Sequence, residues 1–266
     1  MEKRRFVKPV RIRKKVSVNP EKTRLIKRRL LATLLFVVVL WTFLSFIGSD
    51  FFTIAAINIY GNTYTTEKEI RLALSVAEGD NIWRLNKAQQ EAKLKTIARI
   101  ESARVTRELP NKLKVEVTEK RALALVPYNG YFFEMGSDGM VLATTQNPQN
   151  YNIPMLTGLA PLELSVGETL LSGLQLQEVV QALEAMAAAG VAVSELNFAE
   201  PEKLVLITMD GFTVWLGQGN HSEKAALLVQ IIGRLQGRQA EGYIDLRVPG
   251  APAFNTLTEE KTQKNN

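Results

Sequence analysis

The sequence predicts an α+β protein hung from a membrane by one N-terminal helix, with a β-α-α-β-β unit after the helix and then a mixed α/β domain built on an antiparallel sheet. Three observations carry this. Residues 30–49, LLATLLFVVVLWTFLSFIGS, are twenty consecutive positions without a charge. Short runs of alternating apolar residues, broken by Gly, Asn, Asp and Pro, recur from residue 57 to residue 248. Helical periodicity interrupts them in two places in each half of that stretch.

At about 1.5 Å rise per residue the apolar run covers roughly 30 Å, the hydrocarbon thickness of a bilayer. Residues 1–29 before it hold thirteen Lys and Arg against Glu2 and Glu21, a net of +11, whereas the whole chain carries +6. Everything after residue 29 is therefore net −5. Short basic flanks stay on the cytoplasmic side, so residues 1–29 are expected as a cytoplasmic tail, residues 30–49 as the transmembrane helix and the rest as extracytoplasmic, a single-pass type II arrangement in the cell membrane. A cleaved signal has an apolar core of about 7–15 residues and a small-x-small cleavage site. Here Asp50, Phe51 and Phe52 follow a longer core, although Ala55-Ala56 lies nearby. An uncleaved anchor is predicted. Beside a span the basic cluster sets topology and touches anionic lipid, at about 1 kcal/mol per charge, so no nucleic-acid partner is expected.

Cysteine is absent. The outer mass must rest on burial alone, without disulfides, thiol chemistry or Cys-ligated metal.

The first outer unit is legible element by element. Ile57-Asn58-Ile59-Tyr60 alternates and stops at Gly61-Asn62, a strand entering a turn. Thr66 and Glu69 have capping-box spacing, and Ile70, Ala73 and Leu74 recur at helical intervals, which predicts a helix from Thr66 to about Glu78-Gly79-Asp80. A second helix starts at Asn86, with Gln89 three residues on and Leu94, Ile97 and Ala98 as its buried stripe. Residues 103–107 alternate, Leu109-Pro110-Asn111 turns, and residues 113–117 alternate again. A three-stranded sheet covered on one face by two helices buries all of these positions.

This order, with Ile57-x-Ile59-x-Gly61-Asn62, Thr66-x-x-Glu69-Ile70 and Arg107-x-x-Pro110-Asn111-x-Leu113-x-Val115-x-Val117-x-Glu119-Lys120-Arg121, resembles a polypeptide-transport-associated (POTRA) domain. It is similar to the version placed just outside a single membrane helix in the bacterial cell-division proteins FtsQ and DivIB. The resemblance implies a POTRA domain over residues 52–120. Each residue taken singly has a structural reading: Gly61 serves a turn, Pro110 a hairpin and Arg121 a solvated strand end.

Beyond Arg121, strands are predicted at residues 122–126, 131–135 and 140–143, parted by Asn129-Gly130 and by residues 136–139. Residues 144–152 read as a loop before Ile153-Pro154-Met155-Leu156-Thr157-Gly158. Leu176, Val180, Leu183 and Ala187 share a helical face that Gly190 ends. Strands resume at 193–198 and 204–208, Asp210-Gly211 turns the chain into 212–216, a helix opens at Asn220 and places Leu228, Ile231, Ile232 and Leu235 inward, and a last strand covers 243–248. Trp83 and Trp215 are expected in the core.

Asp138-Gly139, the Ile153 to Gly158 element, Leu216-Gly217 followed by Lys224, and Ile244-Asp245-Leu246-Arg247 extend the resemblance through an FtsQ/DivIB-type β domain over residues 121–254. One departure stands out. The family's aromatic tail after the final strand is here Val248-Pro249-Gly250-Ala251-Pro252-Ala253-Phe254, whose prolines remove backbone donors and shorten any pairing. Residues 255–266 are too polar to repay ordering and are expected to be disordered.

No catalytic, cofactor or metal site is predicted. The sole histidine, His221, lies at a helix N-terminus in Gly217-Gln218-Gly219-Asn220-His221 with no nucleophile motif, which reads as a partly exposed cap residue. Gly217-x-Gly219 lacks the third glycine and the βαβ setting of a nucleotide loop. A chain of this kind works by contact. An apolar last strand at the end of the fold is expected at a sheet edge, where another protein adds a strand. The docking surface is therefore expected on residues 242–247 with the helix of residues 220–236 beside it, using Tyr243, Ile244, Leu246, Arg247 and Val248, with Lys224 and Phe254. The resemblance implies coiled-coil partners of the FtsB/DivIC and FtsL type, through them the septal peptidoglycan synthase, and enrichment at the division septum. Two other classes are weighed. A POTRA chaperone for an outer-membrane barrel calls for a long run of amphipathic strands after the domain, and an anchored wall hydrolase calls for a catalytic constellation; neither pattern is in the sequence.

Overall fold

Twenty-eight residues form one unbroken helix, α1 (Pro20–Ile47). Proline suits a first helical position and the Lys/Arg residues after it are good helix formers, so the helix begins well inside the predicted cytoplasmic tail. It ends at Ile47, where Gly48 and Ser49 turn back onto the Leu44 and Phe46 carbonyls at 3.1 Å each. Within Arg24–Ile47 an 18-residue window reaches a mean hydropathy of 2.6, and the stretch is long and apolar enough to cross a membrane. Thr33 and Thr42 hydroxyls donate to the carbonyls of Arg29 and Val38 at 2.9 and 2.8 Å, so their polar groups are satisfied within the helix. The computed structural model describes residues 20–161, 163–235, 242–248 and 251–256, the side chains of residues 20–23, 150, 201, 242, 255 and 256 excepted. The predicted tail up to residue 19 and the expected disorder from residue 257 on lie outside the described residues.

The first sheet holds β1 (Ala56–Tyr60), β2 (Ile100–Glu108) and β3 (Lys112–Glu119), with β3 central, antiparallel to β2 and parallel to β1. Two helices, α2 (Glu67–Ala73) and α3 (Lys87–Leu94), close its core over Ile57, Ile70, Leu94, Val105, Leu113 and Val115. The capping box is formed: Thr66 Oγ1 accepts from Glu69 N at 3.3 Å and Glu69 Oε2 accepts from Thr66 N at 2.8 Å. The helix after it is shorter than expected. Leu74 is already extended, and Ser75 N donates to the buried Gln90 Oε1 at 2.9 Å, so a side chain of α3 takes over from the helical ladder. Trp83, expected in the core, is 41% exposed because it sits on the α2–α3 loop beside the end of α1, its ring against Phe52 and below the Arg107 guanidinium.

The second sheet has nine strands in the order β12-β11-β10-β9-β8-β7-β4-β5-β6. They are β4 (Ala122–Tyr128), β5 (Tyr131–Gly136), β6 (Val141–Thr145), β7 (Met155–Thr157), β8 (Val193–Asn197), β9 (Val205–Thr208), β10 (Thr213–Trp215), β11 (Gly242–Asp245) and β12 (Ala253–Thr256). It is mixed rather than wholly antiparallel: β4–β7, β7–β8 and β10–β11 pair parallel, the last because α5 (His221–Leu235) carries the chain between them. That helix and α4 (Gly173–Ala188) lie side by side over one face, burying Val179, Leu183, Met186, Ala225 and Leu228 on the sheet.

Strand β12 corrects one expectation. Asn255 and Thr256, expected in a disordered tail, belong to it; the pairing after Val248 is short, four residues from Ala253 to Thr256, and begins only after Pro252.

Candidate functional site

Strands β10 and β11 are built by alternation. Asp210-Gly211, with Gly211 at φ +87, closes the hairpin from β9, and Thr208 N donates to the Phe212 carbonyl at 3.0 Å. Val214, Leu216, Ile244 and Leu246 then face the helices and are buried, whereas Thr213, Trp215, Tyr243 and Asp245 face away and are half-buried.

On that open face three side chains form a stack. The Tyr243 ring lies on the Trp215 ring, centroids 4.1 Å apart and 21° from parallel, and the Arg247 guanidinium sits 4.4 Å from the Trp215 centroid. Asp245 fixes the arginine: its Oδ1 accepts from Arg247 Nε at 2.9 Å and its Oδ2 from Nη2 at 2.6 Å. The Arg247 hydrogen bond holds the Asp245 carboxyl below its ordinary value against the opposing effect of burial, and the same bond raises the guanidinium. Gly217, at φ +60, leaves the room this needs, since a Cβ there would lie 3.1 Å from Arg247 Cγ. A cleft of about 410 Å³ opens beside the stack, lined in part by Trp215, Arg247, Asn197, Glu200 and Lys203.

The predicted docking residues divide into two groups. Ile244 and Leu246 are 0% and 2% exposed and belong to the core. Lys224 is buried too, its Nζ donating to the carbonyls of Leu216 and Gln218 at 2.7 Å each, and burial lowers its pKa while Glu178 opposes that. These three cannot meet a partner. Tyr243, Arg247 and Val248 remain accessible, and Phe254 packs partly against the core. Strand β11 is not an edge, because β10 pairs on one side of it and β12 on the other; the edge has moved to β12. The edge expected at residues 242–247 is covered because the chain continues past two prolines into β12.

His221 also departs from expectation. It is 4% exposed, not a surface cap, and its Nε2 meets Glu178 Oε1 at 2.7 Å, an oxygen that accepts from Gly219 N at 2.8 Å as well. Burial follows from α4 and α5 lying side by side, which no local signal around residue 221 announces. Among the described residues no three His, Asp or Glu side chains converge as metal ligands.

Residues 52–120 match the model of the FtsQ-type POTRA domain, and residues 123–247 match that of the C-terminal region of the cell division protein FtsQ/DivIB. The chain belongs to the FtsQ/DivIB family. Among its FtsQ/DivIB relatives, it is 26% identical to the cell division protein DivIB of Clostridium botulinum strain Hall over 77% of this chain and 82% of that one. It is 27% identical to the cell division protein FtsQ of Streptomyces venezuelae over 77% of this chain and 75% of the other. Against DivIB of Staphylococcus aureus strain MRSA252 the identity is 26%, covering 80% of this chain and 48% of the relative. The FtsQ/DivIB match ends at Arg247, so β12 lies beyond it.

Proposed function

We propose that this member of the FtsQ/DivIB family is a non-enzymatic, single-pass scaffold of the bacterial division machinery. Its basic N-terminus lies in the cytoplasm, by the asymmetry of Lys and Arg around the span, and its two sheet domains work outside, at the division septum. The observation that carries the reading is the outer edge of β12, with the stack of half-buried Tyr243 on β11, half-buried Trp215 on β10 and exposed Arg247 beside it. An edge strand offers unpaired N–H and C=O groups to an added strand, and a neighbouring aromatic and guanidinium surface supplies specificity. The partners that fit are the coiled-coil division proteins of the FtsB/DivIC and FtsL type, through which the scaffold recruits and restrains the septal peptidoglycan synthase.

The absence of native cysteine makes the test direct. N255C on β12 or V248C, 60% exposed beside it, should form a disulfide with a cysteine-bearing partner in membranes, whereas L174C, 83% exposed on α4, should not. Cross-linking from residue 174 but not from residue 248 or 255 would move the docking surface to the opposite end of the domain and sink this assignment.

A further inference from the structure

The end of α1 is fastened to the first outer domain. Asn81 Nδ2 donates to the Ile47 carbonyl, one of the orphan acceptors of the last helical turn, at 2.9 Å. The next segment is tied to the same loop, Ile54 N donating to Asp80 O at 2.8 Å and Ile82 N to Phe52 O at 2.9 Å. From β2, Arg107 steadies the loop with Nε on Ile82 O at 2.8 Å and Nη2 on Leu85 O at 2.6 Å. Residues 79–85 are thus held at the level where the apolar helix stops.

At that level the surface is aromatic. Phe46, Phe51 and Phe52 form a cluster of rings, with centroids 5.7 Å (Phe46–Phe51), 5.2 Å (Phe46–Phe52) and 5.1 Å (Phe51–Phe52) apart, and Phe52 meets Trp83 at 5.8 Å. Phe46, Phe51 and Trp83 are 51%, 57% and 41% exposed, so an uncovered aromatic surface continues the wall of the span onto the domain. Arg84 is exposed next to Trp83, and a polar cavity of about 440 Å³, lined in part by Asp50, Asp80, Asn81 and Arg84, opens alongside.

Resting on the reading that α1 spans the bilayer, we infer that this face is a lipid-contact surface: Trp83 and Phe51 enter the headgroup layer of the outer leaflet and Arg84 meets lipid phosphate, which holds the first outer domain in one orientation on the membrane. The occupant is the phospholipid around α1 itself. Aromatic rings at the boundary of a span partition into the interface, and this patch is continuous with the span. Asp50 and Asp80 beside Arg84 leave the patch without a positive excess, so zwitterionic lipid suffices.

The test uses the full chain in phosphatidylcholine liposomes containing lipids brominated near the headgroup end or deep in the acyl chain. Three variants keep one of the three tryptophans each: W41F/W215F, W83F/W215F and W41F/W83F. Shallow bromine should quench Trp83 roughly twofold or more above Trp215, as an interfacial ring requires, and Trp83 should be shielded from aqueous acrylamide. Trp41, inside the span, should respond to deep bromine. Equal shallow quenching of Trp83 and Trp215 with Trp41 still quenched deep would overturn the lipid contact while leaving the anchor intact, and loss of the Trp41 response would overturn both. W83F in the otherwise unaltered chain should remove the shallow-quenched component, a second reading that disturbs neither other tryptophan.

Discussion

Arg99 and Glu134 form a buried ion pair across the junction of the two outer domains, 6% and 3% exposed. Arg99 ends the segment after α3 and Glu134 lies on β5, so the pair links the two sheets. Tyr151 Oη donates to the other Glu134 oxygen at 2.7 Å, the Tyr64 ring lies 4.8 Å below the guanidinium, and Lys120 N donates to the Arg99 carbonyl at 2.7 Å. A buried charge stripped of its partner costs about 3–5 kcal/mol, whereas an apolar pair of similar volume is often neutral. Glu134→Ala is therefore expected to lower stability by about that amount, and Arg99→Met with Glu134→Leu to recover most of it. Urea midpoints of the single and double variants check this; equal losses would mean the pair holds nothing together.

Glu119 makes the turn after β1 sensitive to acid. Its carboxylate accepts from the backbone N–H groups of Thr63, Tyr64 and Thr65 at 3.0, 2.9 and 2.7 Å. Burial alone pushes the carboxyl up, and the backbone N–H groups of Tyr64, Thr65 and Thr63 outweigh it, so the pKa falls below the ordinary 4.5. A lowered folded-state pKa contributes stability that is present above pH 4.5 and lost as pH falls through the folded value. Glu119→Gln should thus reduce the difference between urea midpoints measured at about pH 7 and about pH 3, on either side of the carboxylate range. An unchanged difference would assign the acid sensitivity elsewhere.

What was legible in the sequence was local. Thr66 and Glu69 announced their capping box because both partners lie within one turn, and the alternation of residues 113–117 placed apolar side chains on the buried face that the structure assigns them. What depended on distant neighbours was not legible. The burial of His221 needs Glu178 from another helix, the interior position of β11 needs a strand beyond two prolines, and the exposure of Trp83 needs the end of α1 beside it. The candidate site was half visible for the same reason. Alternation does not say which face the helices cover, so it cannot separate the buried Ile244 and Leu246 from Tyr243 and Arg247 on the opposite face, and the burial of Lys224 depends on the Leu216 and Gln218 carbonyls it reaches.

Gly61 is held by proximity as well as by conformation. It adopts φ +84, and a Cβ there would lie 2.1 Å from the Val117 carbonyl oxygen on β3. Gly79 has a similar φ of +99 with nothing within 4 Å. Gly79→Ala should cost about 1–2 kcal/mol for the left-handed backbone alone, and Gly61→Ala more, because backbone on a neighbouring strand must move. Equal shifts in the unfolding midpoint would show that β1 can draw away from β3 without penalty.

Arg247 and Ile244 separate contact from packing on the strand segment that carries the proposed docking face. Arg247 is solvent-facing, paired with Asp245 and laid over Trp215, an exposed arrangement whose loss changes stability little. Ile244 is fully buried in the core under α4 and α5, where truncation costs about 2–5 kcal/mol. If the stack receives a partner, Arg247→Ala should leave the unfolding midpoint nearly unchanged yet weaken capture of the coiled-coil partner about tenfold or more, as removal of an arginine anchor does. Ile244→Ala should do the reverse, shifting the midpoint while the fraction still folded binds as before. Arg247→Ala with binding intact, measured by titrating the partner onto the full chain in nanodiscs, would limit docking to the main chain of β12 and leave the aromatic stack a structural feature of the open face.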